Sequence, residues 1–281
     1  RIALYFTLLI GLVLMNPAVS LAVDSVCARV KIELKQELTL ERQAFDAHLR
    51  VNNGLSHITL ENARVDVIFT DADGNPVPAS SDPQNTDALF FIRLDSMENI
   101  DDVNGNGTVL PSTTADIHWL IIPSPGSSNG IESGTLYYVG ARLSYHLGGE
   151  DKVTEVTPDY IFVKPMPEIA LDYFLPIDVY GDDAFTSQIE PPVPFSLGLR
   201  VNNSGHGTAK NLKIDSAQPK IVENEQGLLI GFAIEGSEVN GKAVADSLLV
   251  DLGDIDPDSA GTARWNMTCT LSGKFVEFTA G

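Results

Sequence analysis

The sequence predicts an all-β protein made of two tandem antiparallel Ig-like β-sandwiches after an N-terminal signal peptide. Apolar residues alternate with polar ones along short segments, as in half-buried strands. Clusters of Gly, Pro, Asn and Asp separate these segments, and helical periodicity is nearly absent after the first residues. A set of sequence blocks also occurs twice in the same order, which indicates that one fold has been duplicated.

The first residues have the features of a secretory signal peptide. An apolar run over residues 2–15 is followed by the helix breakers Asn16 and Pro17 and then by small residues that suit cleavage before Val23. The run is too short to cross the hydrocarbon core of a bilayer. We therefore expect residues 1–22 to be removed, and a mature chain without a membrane span that is secreted, periplasmic or held at the cell surface.

Strand periodicity is clear in both halves of the chain. In the segment FDAHLRVNN every second residue is apolar, namely Phe45, Ala47, Leu49 and Val51. The segment WNMTCTL, residues 265–271, alternates in the same way, so Trp265 and Cys269 are predicted to face a core.

Four blocks occur once in each half, and the separation between partners shrinks along the chain. The matched pairs are residues 45–53 with 195–203, 61–66 with 210–215, 111–119 with 257–265, and 134–141 with 273–280. The third pair places Trp119 and Trp265, the only two Trp residues, at equivalent predicted core positions. The proline-rich linker at residues 164–167 divides the chain into module one, residues 23–164, and module two, residues 165–281.

The last matched block predicts different ends for the two modules. Module one continues through residues 142–164 with two more strand-like segments, whereas the block at residues 273–280 stands next to the last residue. We therefore expect module two to be truncated at its C-terminal end, with Phe275 and Phe278 partly uncovered at an open sheet edge.

The second copy carries a family resemblance. Residues 199–214, with the sequence LRVNNSGHGTAKNLKI, together with the later Ala263-Arg264-Trp265, resemble the CARDB and surface-layer-type Ig-like repeats of exported bacterial surface proteins. Those repeats show a strand ending in Val-x-Asn, a Gly-containing turn and an Ala-x-Asn that opens the next strand. The resemblance implies a spacer or binding module within a long surface polypeptide, and it brings no catalytic residues with it.

Charge and cysteine content exclude several classes of protein. The formal net charge is −20 and no basic stripe is present, so neither nucleic acid nor an anionic membrane surface is an expected partner. Two cysteines are too few for a disulfide-stapled scaffold. We expect Cys27 and Cys269, which fall in different modules, to remain free thiols.

No catalytic motif is present in the sequence. His48 and His118 fall at outward strand positions and are predicted to be solvated, and His57 and His206 are predicted to be turn residues. The Gly-His-Gly-Thr-Ala segment around His206 is followed by a strand pattern, whereas a dinucleotide loop needs a helix there. The sequence therefore predicts that the protein is not an enzyme and holds no cofactor.

One segment has the pattern of a calcium-binding loop. Asp102, Asn104 and Asn106 place oxygen-bearing side chains at alternate positions and Gly107 follows, as in an EF-hand loop, but the twelfth position is Thr113 instead of a bidentate Glu. The sequence favours a Gly-Asn turn, with a calcium site at Asp102, Asn104 and Asn106 as the alternative.

The sequence as a whole predicts a non-catalytic structural or adhesive spacer that presents other domains of a larger exported protein. Its expected partners are neighbouring domains of that same polypeptide, and the sequence specifies neither a protein nor a glycan ligand. A carbohydrate-binding module is one alternative and would need Tyr137, Tyr145 and Tyr160 exposed on one sheet face. An accessory fragment of an exported hydrolase is the other.

Overall fold

The computed structural model describes residues 29–215, 220–221 and 230–277, and these residues form strands, turns and loops without a helix. The predicted all-β class is therefore confirmed. Within these residues there is no helix long and apolar enough to cross a membrane. The predicted signal peptide at residues 1–22, Cys27, Phe278 and the side chain of Phe275 lie outside the described part of the chain.

The strands fall into two successive groups. In the first half they are β1 (Arg29–Leu34), β2 (Leu38–Leu40), β3 (Phe45–Asn53), β4 (Leu60–Asp71), β5 (Pro76–Val77), β6 (Ala79–Ser80), β7 (Phe90–Glu98), β8 (Asn104–Val109), β9 (Thr113–Pro123), β10 (Thr135–Leu147) and β11 (Glu150–Lys164). In the second half they are β12 (Ile169–Phe174), β13 (Asp178–Val179), β14 (Phe195–Asn203), β15 (Ala209–Asp215), β16 (Lys220–Ile221), β17 (Phe232–Val239), β18 (Lys242–Val244), β19 (Leu249–Ile255), β20 (Ser259–Cys269) and β21 (Gly273–Glu277).

The first-half strands form two sheets that share one core. One sheet has the order β1-β3-β9-β7-β6, and the other has the order β2-β11-β10-β4-β5 with β8 paired to β4. Aromatic rings join the two sheets: Phe69 of β4 stacks on Phe90 of β7 at 4.5 Å, and Phe90 meets the edge of Tyr137 of β10 at 5.0 Å. The buried residues of both sheets belong to a single apolar cluster, as in a β-sandwich.

Four strands of the second half, β12, β14, β20 and β17, have the same order as β1, β3, β9 and β7 of the first of these sheets. Their five-stranded sheet has the order β12-β14-β20-β17-β18, and β13-β21-β16 and β15-β19 form smaller sheets beside it. Trp119 lies opposite Ala47 on the neighbouring strand, and Trp265 lies opposite Leu197. Both Trp side chains are buried, so the prediction that they occupy matched core sites is confirmed.

Positions that the sequence matches between the two halves also share an unusual backbone conformation. Asn62 and Asn211 both adopt a left-handed conformation, with φ of 53° and 51°. Ser112 and Asp258, each directly after a turn proline, have φ of 53° and 54°. Residues with a β-carbon adopt such angles rarely, so their recurrence at equivalent points marks the same turns in both halves.

The edge of β21 differs from the sequence-based expectation. In the first half β10 pairs with β4 and β11, whereas β21 pairs with β16 and with the two residues of β13. β13 therefore occupies part of the edge that the sequence predicts to be open, and its Val179 is buried beside Cys269. Cys269 is a free and buried thiol, as predicted, and burial raises its pKa.

Candidate functional site

A buried asparagine ends the same strand in each half of the chain and fixes the loop that follows. Asn53 donates from its side-chain amide to the carbonyl oxygens of Ile58 and Val109 at 2.9 and 3.1 Å. Asn203 donates in the same way to Gly207 and Ile255 at 2.8 and 3.0 Å. Because both side chains are buried, these hydrogen bonds explain in physical terms why the motif Val-x-Asn ends the strand.

In the second half, the loop after Asn203 packs directly against residues 165–168, which connect β11 to β12 and are called the linker from here on. Asn203 Oδ1 accepts a hydrogen bond from the backbone N–H of Glu168 at 3.1 Å, and Ser204 N–H donates to the Glu168 carbonyl at 2.9 Å. A β-carbon on Gly205 would lie 2.3 Å from Glu168 N, and one on Gly207 would lie 2.9 Å from Pro165 O. Glycine is therefore required here so that the loop backbone can approach the linker backbone.

Arg42 of the first half also bonds to this linker. Arg42 Nη2 donates to the Pro167 carbonyl at 2.8 Å, and its Nη1 lies 3.0 Å from the Glu168 carboxylate. Arg42 itself has a left-handed backbone, with φ of 63°, and its N–H donates to Pro123 O at 2.8 Å. Arg42 therefore connects the body of the first half to the linker.

Glu41 is a buried carboxylate at this junction. Its Oε1 atom accepts hydrogen bonds from Gly126 N and Ser128 N, both at 3.0 Å, and from Ser128 Oγ at 2.6 Å. Burial would raise the pKa of Glu41, but the hydrogen bonds from Ser128 and His206 outweigh that effect and hold the pKa below its usual value of 4.5. Glu41 is therefore ionised at neutral pH although it is only 1% exposed.

The second carboxylate oxygen of Glu41 contacts the other half of the chain. Oε2 lies 3.1 Å from Nδ1 of His206, and this nitrogen donates because an ionised carboxylate can only accept. Nearby, Lys210 forms an ion pair with Glu132. We name the set of Glu41, Arg42, His206 and the linker residues 165–168 the junction.

The junction is not predictable as a site from the sequence. His206 was predicted to be a turn residue, and Glu41 is one of many acidic residues without a distinctive pattern around it. The glycines on either side of His206 are the signal that the sequence contains, because glycine is often used where two backbones approach closely. The sequence does not show which segment approaches them.

A second group of polar residues lies on the outer face of the sheet that contains β3 and β9. His48 and His118 are directly opposite each other, and their rings stack at 4.3 Å with an angle of 9° between the planes. Asp116 Oδ1 contacts Nε2 of both rings, and Asp46 Oδ1 lies 2.8 Å from His118 Nδ1. The expectation that both rings are solvated is wrong for His48, whose side chain is 8% exposed, because His118 and Asp116 cover it.

The calcium candidates are close together but bonded to one another. Asp102 accepts hydrogen bonds from Asn104 Nδ2 at 3.0 Å and from Asn106 N at 3.2 Å, and Asn104 begins β8. A β-carbon on Gly107 would lie 2.0 Å from Asp102 O, so this glycine is needed for the tight turn. These contacts account for the turn without an ion, and calcium binding there stays a prediction.

The tyrosines do not form an exposed platform for sugars. Tyr137 and Tyr145 are buried, because the alternation along β10 directs them into the core, and Tyr160 is 36% exposed. The set of residues that the carbohydrate-binding alternative requires is therefore not displayed on one face.

No family model and no curated protein matches this chain. Solved structures similar to it include the secreted serine protease VesC from Vibrio cholerae, at 8% identity and a TM-score of 0.24 over 89% of this chain and 51% of that one. A DUF4785 family protein from Legionella pneumophila matches at 9% identity and a TM-score of 0.29, over 89% of this chain and 46% of that one. The Salmonella enterica SafA pilin in complex with the SafB chaperone matches at 11% identity and a TM-score of 0.28, over 91% of this chain and 96% of that one. This chain spans about half of the Vibrio protease, and scores this low carry no functional argument.

Proposed function

We propose that this protein is a non-catalytic spacer of an exported polypeptide, in which two tandem Ig-like β-sandwich modules hold neighbouring domains at a fixed distance and angle. The modules correspond to residues 23–164 and 165–281. The observation that carries the proposal is the linker, residues 165–168, which is bonded from both sides.

A spacer needs a connection between its modules that resists bending. Relative motion is the default for neighbouring domains unless the interface between them restrains it. Here the linker is short and contains Pro165 and Pro167, which restrict the backbone. Arg42 binds it on one side and the loop of Gly205 binds it on the other, so rotation about the linker would break hydrogen bonds to both modules.

The contacts of the junction also suit a permanent connection better than a transient one. The buried Glu41 carboxylate is bonded to backbone groups within its own module and to His206 of the next module. Displacement of module two would leave one lone pair of this buried, charged group without its partner, which is costly in a region of low dielectric.

Nuclear magnetic resonance alignment of the mature chain tests the proposal. Residual dipolar couplings from strands of the two modules should fit one alignment tensor, because rigidly connected modules tumble together. A variant in which residues 165–168 are replaced by Gly and Ser should need two tensors. If the wild-type protein also needs two tensors of different magnitude, the spacer function is refuted.

An activity screen tests the non-catalytic part of the proposal. A panel of peptide, ester and glycoside substrates should show no turnover above a heat-denatured control. Turnover that persists through repeated purification and is abolished by an active-site-directed inhibitor would contradict the non-catalytic assignment.

A further inference from the structure

We propose that His48, Asp116 and His118 form a binding site for a divalent transition metal ion of the zinc type on the outer face of module one. The ligand atoms are Nε2 of His48, Oδ1 of Asp116 and Nε2 of His118. This site is independent of the spacer function and of the junction.

The positions of the three ligands follow from strand geometry. Asp116 and His118 are two residues apart on β9 and therefore point to the same face, and His48 is the direct cross-strand neighbour of His118 on β3. Both strands are interior to their sheet, so the backbone that carries the ligands is paired on both sides. Ligands on such strands are held more firmly than ligands on loops.

One pair of ligand atoms already has the separation expected on a small tetrahedral ion, and a second pair must move apart. His48 Nε2 and Asp116 Oδ1 are hydrogen-bonded to each other, so the ion would replace the proton that they share, and the ring of His48 would have to turn out of its stack with His118. One ligand atom from each of the three residues lies within 4.8 Å of the others. Asp116 Oδ1 and His118 Nε2 are 3.3 Å apart. Two atoms that each lie about 2.0–2.1 Å from a tetrahedral zinc ion are separated by about 3.3 Å. Two imidazoles and one carboxylate leave a fourth position open for water, as in three-ligand zinc sites.

A second carboxylate fixes the orientation of one ligand ring. Asp46 Oδ1 lies 2.8 Å from His118 Nδ1, so the proton of this ring is held at Nδ1 and the lone pair of Nε2 is available to a metal. Carboxylate–histidine–metal arrangements of this kind are the usual support of zinc ligands.

The nearby cations leave the ligand atoms free. Arg50 Nε approaches Oδ2 of Asp116 at 3.5 Å, and Lys35 Nζ approaches Oδ2 of Asp46 at 3.3 Å. In both carboxylates the other oxygen, Oδ1, faces an imidazole. The overall charge of −20 further favours the approach of a cation.

The choice of ion follows from the donor types. Imidazole nitrogen suits Zn²⁺, Ni²⁺, Co²⁺ and Cu²⁺, whereas Mg²⁺ and Ca²⁺ prefer sites made only of oxygen. We therefore expect zinc-type ions to bind and the alkaline-earth ions to leave the site unchanged.

Calorimetric titration of the untagged, chelator-treated mature chain with ZnCl₂ tests the site. One ion should bind per chain, and His118→Asn and Asp116→Asn should each weaken binding at least about tenfold. Asp46→Asn should weaken it by about 10–100-fold, because it removes the partner of His118 Nδ1. The matched control is His146→Asn, which removes a histidine of an isolated His–Asp pair, with His146 Nδ1 2.9 Å from Asp151, and should leave binding unchanged.

Imidazole ¹⁵N spectra of the wild-type protein provide a second measurement that needs no variant. Zinc should shift the Nε2 resonances of two histidines and leave the other three at their positions. Equal zinc affinity in wild type and His118→Asn, or zinc shifts at His146 instead of the cluster, would overturn the proposal. So would the absence of any binding up to millimolar zinc.

Discussion

The Oε2 atom of Glu41 lies 3.1 Å from Nδ1 of His206, and this contact joins a residue buried in the first half of the chain to a half-exposed histidine in a loop of the second half. The two partners differ in what they stabilise. Glu41 satisfies donors within its own half, whereas His206 makes its hydrogen bond to that half through the carboxylate.

Substitution of these two residues should therefore have unequal effects. Glu41→Ala leaves the N–H groups of Gly126 and Ser128 without their acceptor, and each buried donor left unpaired costs about 1–3 kcal/mol. His206→Ala should lower the free energy of unfolding by less than Glu41→Ala, by about 1–3 kcal/mol, because it leaves one lone pair of the buried carboxylate without its donor. Denaturant titration measures both values. His57→Ala, in the matched exposed loop of the first half, is the control. Equal losses for Glu41→Ala and His206→Ala would contradict this assignment.

Acidification should weaken the junction through Glu41. Its pKa is lower in the folded protein than its usual value of 4.5, so the unfolded chain takes up a proton at a higher pH than the folded one. The stability contributed by the ionised form is fully present above about pH 5 and is lost as the pH falls through the folded pKa. Melting temperatures from pH 7 to pH 3 should fall more steeply for wild type than for Glu41→Gln. Parallel curves for the two proteins would show that Glu41 does not contribute in this way.

A methyl group at Gly205 should force the linker away. The β-carbon of Gly205→Ala would overlap the backbone of Glu168, and overpacking of this kind costs about 1–3 kcal/mol. Gly236→Ala is the matched control, because Gly236 lies in a strand of the same half and nothing is within 4 Å of its β-carbon position. Limited proteolysis should cleave Gly205→Ala within residues 165–168 faster than wild type or Gly236→Ala. Identical cleavage in the three proteins would mean that the loop does not restrain the linker.

The two Trp residues allow each half to be observed separately. Trp119→Ala and Trp265→Ala should each cost about 3–5 kcal/mol, since both remove a buried ring, and Trp265 also donates from Nε1 to Ser247 O at 2.7 Å. In each variant the remaining Trp reports on the other half. Its fluorescence should keep the wild-type melting temperature if the halves unfold independently. A parallel loss at both sites would contradict the division into two modules.

Alternation and repetition made most of the fold predictable. The period of two along residues 45–53 places Ala47 and Leu49 inside, and the duplicated Pro–Trp spacing locates Trp119 and Trp265 in matched cores. Both features can be read from a single sequence, because they depend only on the local order of apolar and polar residues and on the need to bury apolar faces. The partial cover of β21 by β13 was not predictable, because a two-residue strand carries no periodicity.

The candidate sites depend on contacts between distant segments, and for that reason the sequence did not predict them. Glu41 and His206 are far apart in sequence, and neither stands in a recognisable motif. The sequence places His48 and His118 on the correct face of the sheet but predicts the wrong environment for His48. Alternation along a strand shows which face a residue occupies, but it does not show which residue of the neighbouring strand lies opposite. Only the pairing of β3 with β9 brings His48 opposite His118 and next to Asp116.

The stiffness of the junction is tested most directly by a distance measurement between spin labels on the two halves. Labels at Thr157→Cys and Ala260→Cys occupy exposed positions on β11 and β20, in a protein whose Cys27 and Cys269 are replaced by Ala. Double electron–electron resonance should give one narrow distance distribution for the otherwise wild-type protein. The distribution should broaden when Arg42→Ala and Gly205→Ala are combined, and it should broaden further when residues 165–168 are replaced by Gly and Ser. A wild-type distribution as broad as that of the Gly–Ser protein would contradict the account of a rigid two-module spacer.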